Sequence, residues 1–155
     1  MHNRIIRIKC KIKKIFLKRA YKDFIFEKDL MFRNGFFIKI LGGKIVIKSG
    51  CFFNNYCSIN SLEYIEIGED CIFGENVKIY DHNHKYKKNE KIKNSGYSTG
   101  KIIIGNNVWV GSNTVILKGV KIGDNVVIGA NSVIYKDIPE NSVVISKANI
   151  EIKPL

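Results

Sequence analysis

One spacing decides what this chain can fold into: from residue 104 onward its aliphatic residues recur every six positions. Ile104, Val110, Ile116, Ile122, Ile128 and Ile134 keep that spacing without a slip through IGNNVW, VGSNTV, ILKGVK, IGDNVV, IGANSV and IYKDIP. An earlier block repeats it at Leu41, Ile47, Phe53 and Ile59, and then, after two extra residues, at Ile67, Phe73 and Ile79. The fifth position of each unit is small or β-branched, as at Cys51, Cys57, Cys71, Val77, Thr114 and Ser132. Two inward positions per six residues, with Gly or Asn beside the first, describe a short strand followed by a tight turn in which a residue can take φ > 0. Neither a period of 3.6 nor a period of 2 accounts for both positions. Three units make one triangular turn of about 18 residues, and turns stacked at the ~4.8 Å strand spacing place the aliphatic side chains in ladders inside a prism.

These tandem [Leu/Ile/Val]-Gly-x-x-[small]-x units resemble the hexapeptide-repeat acyltransferases, whose fold is an all-β, left-handed parallel β-helix. The resemblance covers roughly residues 41–140. The left hand comes from the resemblance alone and departs from the usual right-handed crossover. The repeats are scaffold, so chemistry has to be sought where they break.

A chain of 155 residues has room for one folded unit with an appendage. No apolar run approaches the ~18 residues of a membrane span, and two prolines, Pro139 and Pro154, exclude proline-rich classes. The net charge of +12 is unevenly placed, because residues 1–28 hold ten Lys/Arg against Asp23 and Glu27, a net +8. That opening segment lacks the uninterrupted apolar stretch and small-residue cleavage site of a secretory signal, which implies a cytoplasmic protein. Cys51, Cys57 and Cys71 fall on the small inward position, where a reduced thiol packs as a small apolar group.

Between Ile79 and Ile104 the hexads stop, leaving YDHNHKYKKNEKIKNSGYSTG at residues 80–100. A prism tolerates an insertion this long only as a projecting loop, and such loops are functional or disordered. This one holds His82 and His84, two of the three histidines, and is followed by Trp109, the only tryptophan, and the Gly111–Ser112 turn. An imidazole titrates near neutrality, so a histidine beside an acceptor hydroxyl can take its proton as the oxygen attacks a thioester. A backbone N–H in the turn after Trp109 could meet the charge that develops on the thioester oxygen. The plainer alternative is a polar turn with solvated histidines.

The stretch IIIGNNVWVGSNTVILKGVKIGDNVVIGANSVIYKDIP is similar to galactoside, maltose and bacterial polysaccharide O-acetyltransferases. The resemblance implies acetyl-CoA as acyl donor with no metal required, a histidine general base on the strand entering the loop, and a tryptophan lining the acetyl-CoA site. Counting from Ile79 and Tyr80 places His84 at the base position, with His82 as the alternative. It puts Asn54, Asp81 and Trp109 at the acceptor, although Asn54 reads equally as a turn residue after inward Phe53. Trp109, Gly111, Ser112, Ala130 and Lys136 fall at the cofactor, with Lys118 and Lys121 as further candidates for its phosphates. Family members are homotrimers with active sites between adjacent prisms, and their acceptors are sugars or surface glycans used in polysaccharide biosynthesis. An amino sugar would make the protein an N-acetyltransferase.

A second enzyme class is also in view, because hexapeptide prisms resemble the gamma-class carbonic anhydrases as well, where His82 and His84 would be zinc ligands. A non-catalytic scaffold subunit is the third reading. The division expected is a basic leader over 1–35, a catalytic β-helix over 36–145 with its loop at 80–100, and a tail over 146–155. Within the leader, Ile5, Ile8, Ile12, Ile15 and Phe16 make a helical stripe, which favours a helix over an alternating strand. Such a segment, residues 1–24, can lie on anionic lipid at the inner face of the membrane, or cover the open end of the prism. Nucleic acid is not an expected partner, since the core carries no recognition motif.

Overall fold

The structure, a computed structural model, describes residues 2–146; within its N-terminal helix the side chains described are those of Ile8 and of Cys10 onward. The tail beyond residue 146 lies outside the described residues. A helix, α1 (His2–Ala20), precedes a stack of short strands. The first turn of the stack is β1 (Phe24–Phe26), β2 (Met31–Phe32) and β3 (Phe37–Ile40), and the second is β4 (Lys44–Ile47), β5 (Phe52–Phe53) and β6 (Ser58–Ser61). The third is β7 (Tyr64–Ile67), β8 (Ile72–Phe73) and β9 (Lys78–Tyr80), after which a hairpin of β10 (His82–His84) and β11 (Tyr97–Thr99) leaves the stack. The fourth turn is β12 (Ile102–Ile104), β13 (Trp109–Val110) and β14 (Val115–Ile116), and the fifth is β15 (Lys121–Ile122), β16 (Val127–Ile128) and β17 (Val133–Ile134). A sixth begins at Ile138, which bridges in parallel to Ile122, and continues into β18 (Val143–Val144).

Each strand pairs in parallel with its counterparts one turn away, which gives three sheets: β1-β4-β7-β12-β15, β2-β5-β8-β13-β16-β18 and β3-β6-β9-β14-β17. The molecule is therefore the expected β-solenoid of hexapeptide turns. In the first sheet Phe24 is in register with Ile45, Ile45 with Ile65 and Ile65 with Ile102, all of them buried. The second sheet starts an aromatic column: Phe53 lies 4.3 Å from Phe73 with rings 4° apart, and Phe36, from the corner before β3, extends it 4.9 Å from Phe53 in the preceding turn.

The corners show two different uses of Gly and Asn. Asn107, Asn113, Asn125 and Asn131 hold the positive φ, and their side chains bond in ladders from turn to turn, Asn107 to Asn125 at 2.9 Å and Asn113 to Asn131 at 3.1 Å. Gly111 has an ordinary φ but no space, since a Cβ there would meet the Ala130 nitrogen at 2.5 Å. At these corners Asn meets the conformational demand and Gly111 the steric one.

Two expectations are corrected. The stack begins at Phe24, so residues 24–35 belong to it and not to the leader. Leu41 is not an inward ladder residue but 51% exposed, because the chain bulges at this corner through Gly42, with φ 93°, before Ile45 and Ile47 turn inward. All four cysteines are free and buried. The Cys57 thiol donates to the Gly74 carbonyl at 3.1 Å, and burial pushes its pKa up, which makes it an unreactive core group.

Helix α1 covers the first turn, where Phe24, Leu30, Phe32 and Phe36 would otherwise face water. Cys10 and Leu17 are buried against that cluster, and Lys13 donates through Nζ to the Phe36 carbonyl. Removal from water pushes the Lys13 ammonium pKa down. Lys14 and Lys18 lay their ammonium groups over the Phe26 ring at 5.6 and 4.9 Å. The leader is thus the helix its longer periodic pattern favours, and it is an end cap. Among the described residues no helix is long and apolar enough to cross a membrane.

Candidate active site

The hexad ladder ends its third turn at Ile79, and the next residues leave the prism at the corner between the third and first sheets. Asp81 anchors the exit. It is fully buried; one carboxylate oxygen accepts from the Ser61 hydroxyl at 2.7 Å and the Glu63 N–H at 2.8 Å. The other accepts from the Leu62 N–H at 2.8 Å and contacts His82 Nδ1 at 3.0 Å. Expected on the acceptor side, Asp81 instead lies behind the site, with both oxygens engaged. It fixes the preceding corner and orients the first histidine. Asp81→Ala leaves the Leu62 and Glu63 N–H groups without an acceptor in a buried corner, while the Ser61 hydroxyl keeps the Lys44 carbonyl at 3.2 Å, and should lower stability by about 2 kcal/mol in a denaturant titration.

The hairpin pairs His82 with Thr99 and His84 with Tyr97, and the Gly100 N–H closes its base on the Asp81 carbonyl at 2.9 Å. Two residues apart on one strand, the imidazoles share a face. Tyr97 stands between them, its ring 4.5 Å from His84 and 5.4 Å, edge-on, from His82. His82 is half-buried and His84 is exposed. Together they line a cleft of about 240 Å³ with Lys39, Asn60, Tyr80 and Tyr97. Sequence reasoning missed those last four; a tyrosine in a loop carries no signal of its own until the hairpin register sets it opposite a histidine.

The other expected residues stand elsewhere. Trp109 is on the second sheet, 55% exposed beside fully buried Val110. In a three-sided prism that sheet lies across from the hairpin corner. Ser112 and Ala130 stack on the corner between the second and third sheets, where Asn54 also sits two turns earlier. Asn54 Oδ1 accepts from Arg33 at 3.3 Å and from the Asn55 N–H at 2.9 Å, a corner role. Lys118 and Lys136 are at the hairpin corner in later turns, and Lys121 opens β15. One protomer thus unites Asp81, His82 and His84, and separately lines up Trp109, Gly111, Ser112 and Ala130. It does not join the two groups.

The donors in the turn after Trp109 can be told apart. The Gly111 N–H is spent on the Ile128 carbonyl at 2.7 Å, so Gly111 is not a free donor. Among the described hydrogen bonds the Ser112 N–H has no acceptor, which leaves it as the donor this turn can offer. Among the described residues no three His, Cys, Asp or Glu side chains converge as a metal site.

The class this geometry defines is a hexapeptide-repeat β-solenoid interrupted by a histidine-bearing hairpin, and residues 101–136 match the bacterial transferase hexapeptide (six repeats) family. The chain is 32% identical over 115 residues to a putative lipopolysaccharide biosynthesis O-acetyl transferase, WbbJ, of Escherichia coli (strain K12), a match spanning 64% of this chain and 59% of that protein. It thus spans less than two thirds of that relative. Among solved structures it is similar to a maltose O-acetyltransferase from Clostridium difficile 630, with a TM-score of 0.66, 36% identity, and coverage of 79% of this chain and 65% of that one. It is also similar to a hexapeptide-repeat acetyltransferase from Vibrio cholerae O1 biovar eltor complexed with acetyl coenzyme A, with a TM-score of 0.70, 25% identity, and coverage of 86% of this chain and 71% of that one.

Proposed function

We propose that the protein is an acetyl-CoA-dependent O-acetyltransferase that acts on a sugar hydroxyl of a cell-surface glycan or its precursor. The observation that carries this reading is the division of the site: a two-histidine cleft at one corner and, across the prism, an exposed Trp109 near a Ser112 N–H that has no acceptor among the described residues. Each half lacks what the other holds. A homotrimer of parallel prisms would set the hairpin of one protomer against the second sheet of its neighbour. The named activities of the E. coli and C. difficile relatives support the acetyl group and the sugar, and the acetyl coenzyme A bound to the V. cholerae protein supports the donor.

Acetyl-CoA supplies an activated acyl thioester. His84, on the exposed arm of the hairpin, accepts the proton of the acceptor hydroxyl as its oxygen bonds to the thioester carbonyl carbon. The Ser112 N–H of the adjacent prism donates to the oxygen on which charge develops. The carbon–sulfur bond breaks, and the imidazolium returns its proton to the departing thiolate. Trp109 and Ala130 line the donor channel, and Lys136 is placed for its phosphates. The contact of His82 Nδ1 with Asp81 at 3.0 Å favours a second assignment, in which His82 is the base, fixed in tautomer by the carboxylate. The protein's proposed place is the cytoplasm, at the inner face of the membrane.

Incubating the full chain with acetyl-CoA and a panel of nucleotide sugars, oligosaccharides and sialosides tests the function. Coenzyme A release matched by an ester on one acceptor is the expected result. An amide on an amino sugar would instead mark an N-acetyltransferase, no transfer to any acceptor a scaffold, and stoichiometric zinc in the purified protein the carbonic-anhydrase-like alternative.

A further inference from the structure

Helix α1 has two apolar faces, and capping the solenoid uses only one. Cys10 and Leu17 are 2% and 9% exposed against the first turn, whereas Ile8, Ile12, Ile15 and Phe16 are 52%, 52%, 56% and 63% exposed. At about 100° per residue the four exposed residues form a single stripe on the side of the helix away from Cys10 and Leu17. A cap needs no second stripe, and four large apolar side chains gathered on two turns make a contiguous surface patch. Charge chooses what fits it. Residues 1–22 contain nine Lys/Arg and no Asp or Glu. Lys13, Lys14 and Lys18 lean back onto the Phe32 and Phe26 rings, while Lys11 and Arg19 stay exposed with the outward stripe.

We propose that α1 docks the protein on an anionic lipid bilayer, with Ile8, Ile12, Ile15 and Phe16 entering the headgroup boundary and Lys11 and Arg19 meeting the lipid phosphates. The proposal rests on the peripheral location given above and is independent of the transfer chemistry. A basic amphipathic helix binds such a surface through buried apolar area together with attraction to anionic headgroups. A second copy of this chain fits the face less well, because it would set two strongly basic helices against each other. Since the inward face closes the core, deletion of the helix exposes Phe24, Leu30, Phe32 and Phe36 and is not a clean test. Substitutions confined to the outward face are.

The test is cosedimentation of the full chain with vesicles of phosphatidylcholine alone or mixed with phosphatidylglycerol, alongside sizing and thermal melting. Wild-type protein should sediment with the phosphatidylglycerol vesicles, less so as salt rises, and should stay in the supernatant when the vesicles are phosphatidylcholine alone. The double variant Ile12→Ser, Phe16→Ser should bind about 10-fold more weakly with unchanged melting. Lys11→Glu with Arg19→Glu, which spares the buried face, should lose binding as well. Wild-type binding that is no stronger to anionic than to neutral vesicles would overturn the proposal, as would serine variants that bind like wild type. A self-associated wild type that the serine variant dissolves, without lipid binding, would assign the face to a second copy and overturn it too. Transfer to soluble acceptors, measured on the same samples, stands or falls separately.

Discussion

His84→Ala should lower kcat by about two to four decades, the range that a positioned general base contributes. In the wild type, kcat/KM should climb from the acid side as an imidazole loses its proton, and the variant should lose that limb. His84 is exposed at the end of β10, its ring tilted 43° to the Tyr97 ring at 4.5 Å, and lines the cleft into which an acceptor hydroxyl would be brought. His82 shares the cleft, but its Nδ1 is held by buried Asp81. His82→Ala should therefore disturb the hairpin while the acid limb of the residual activity survives. The opposite outcome, with the limb lost in His82→Ala and kept in His84→Ala, would pass the role to His82 and make Asp81 the group that orients the base.

The second large effect is on stability. Phe53→Ala should cost about 3–5 kcal/mol, the range for removing a buried aromatic side chain from a close-packed core. Phe53 is fully buried, stacked 4.3 Å from Phe73 and 4.9 Å from Phe36, so it links three consecutive turns of the solenoid. A stack in which each turn touches only its neighbours cannot collapse around such a cavity without shifting the register of both. An unfolding free energy lowered by less than about 1 kcal/mol in a denaturant titration would mean that the column is not continuous.

The tandem hexads from Ile104 to Ile134 were legible because the spacing is unbroken and each unit pairs an aliphatic residue with a small one. The first turn was not read, although Phe24, Leu30 and Phe36, like Phe26, Phe32 and Ile38, are also six apart. Its inward Leu30 and Phe36 are large where the matching positions of later turns hold Cys, Val or Thr, and this turn is the one that packs against the capping helix. Leu41 misled for a related reason: the residues inserted at the corner before Lys44 preserve a numerical spacing of six while moving the side chain outside. The histidines were legible as candidate residues because they fall inside the single long break in the repeat. The burial of Asp81 was not, since its partners Ser61, Leu62 and Glu63 lie a full turn earlier in the chain. Nor could sequence show that Gly111 gives its N–H to Ile128 and leaves Ser112 as the donor.

The division of the site between two prisms is the central claim, and coexpression of two inactive chains tests it most directly. His84→Ala chains keep Trp109, and Trp109→Ala chains keep His84. In trimers assembled at random from equal amounts, one interface in four pairs an intact histidine with an intact tryptophan, so activity should return to about a quarter of wild type. Activity no higher than that of either variant alone would contradict the shared site, and would require His84 and Trp109 to act from within one protomer.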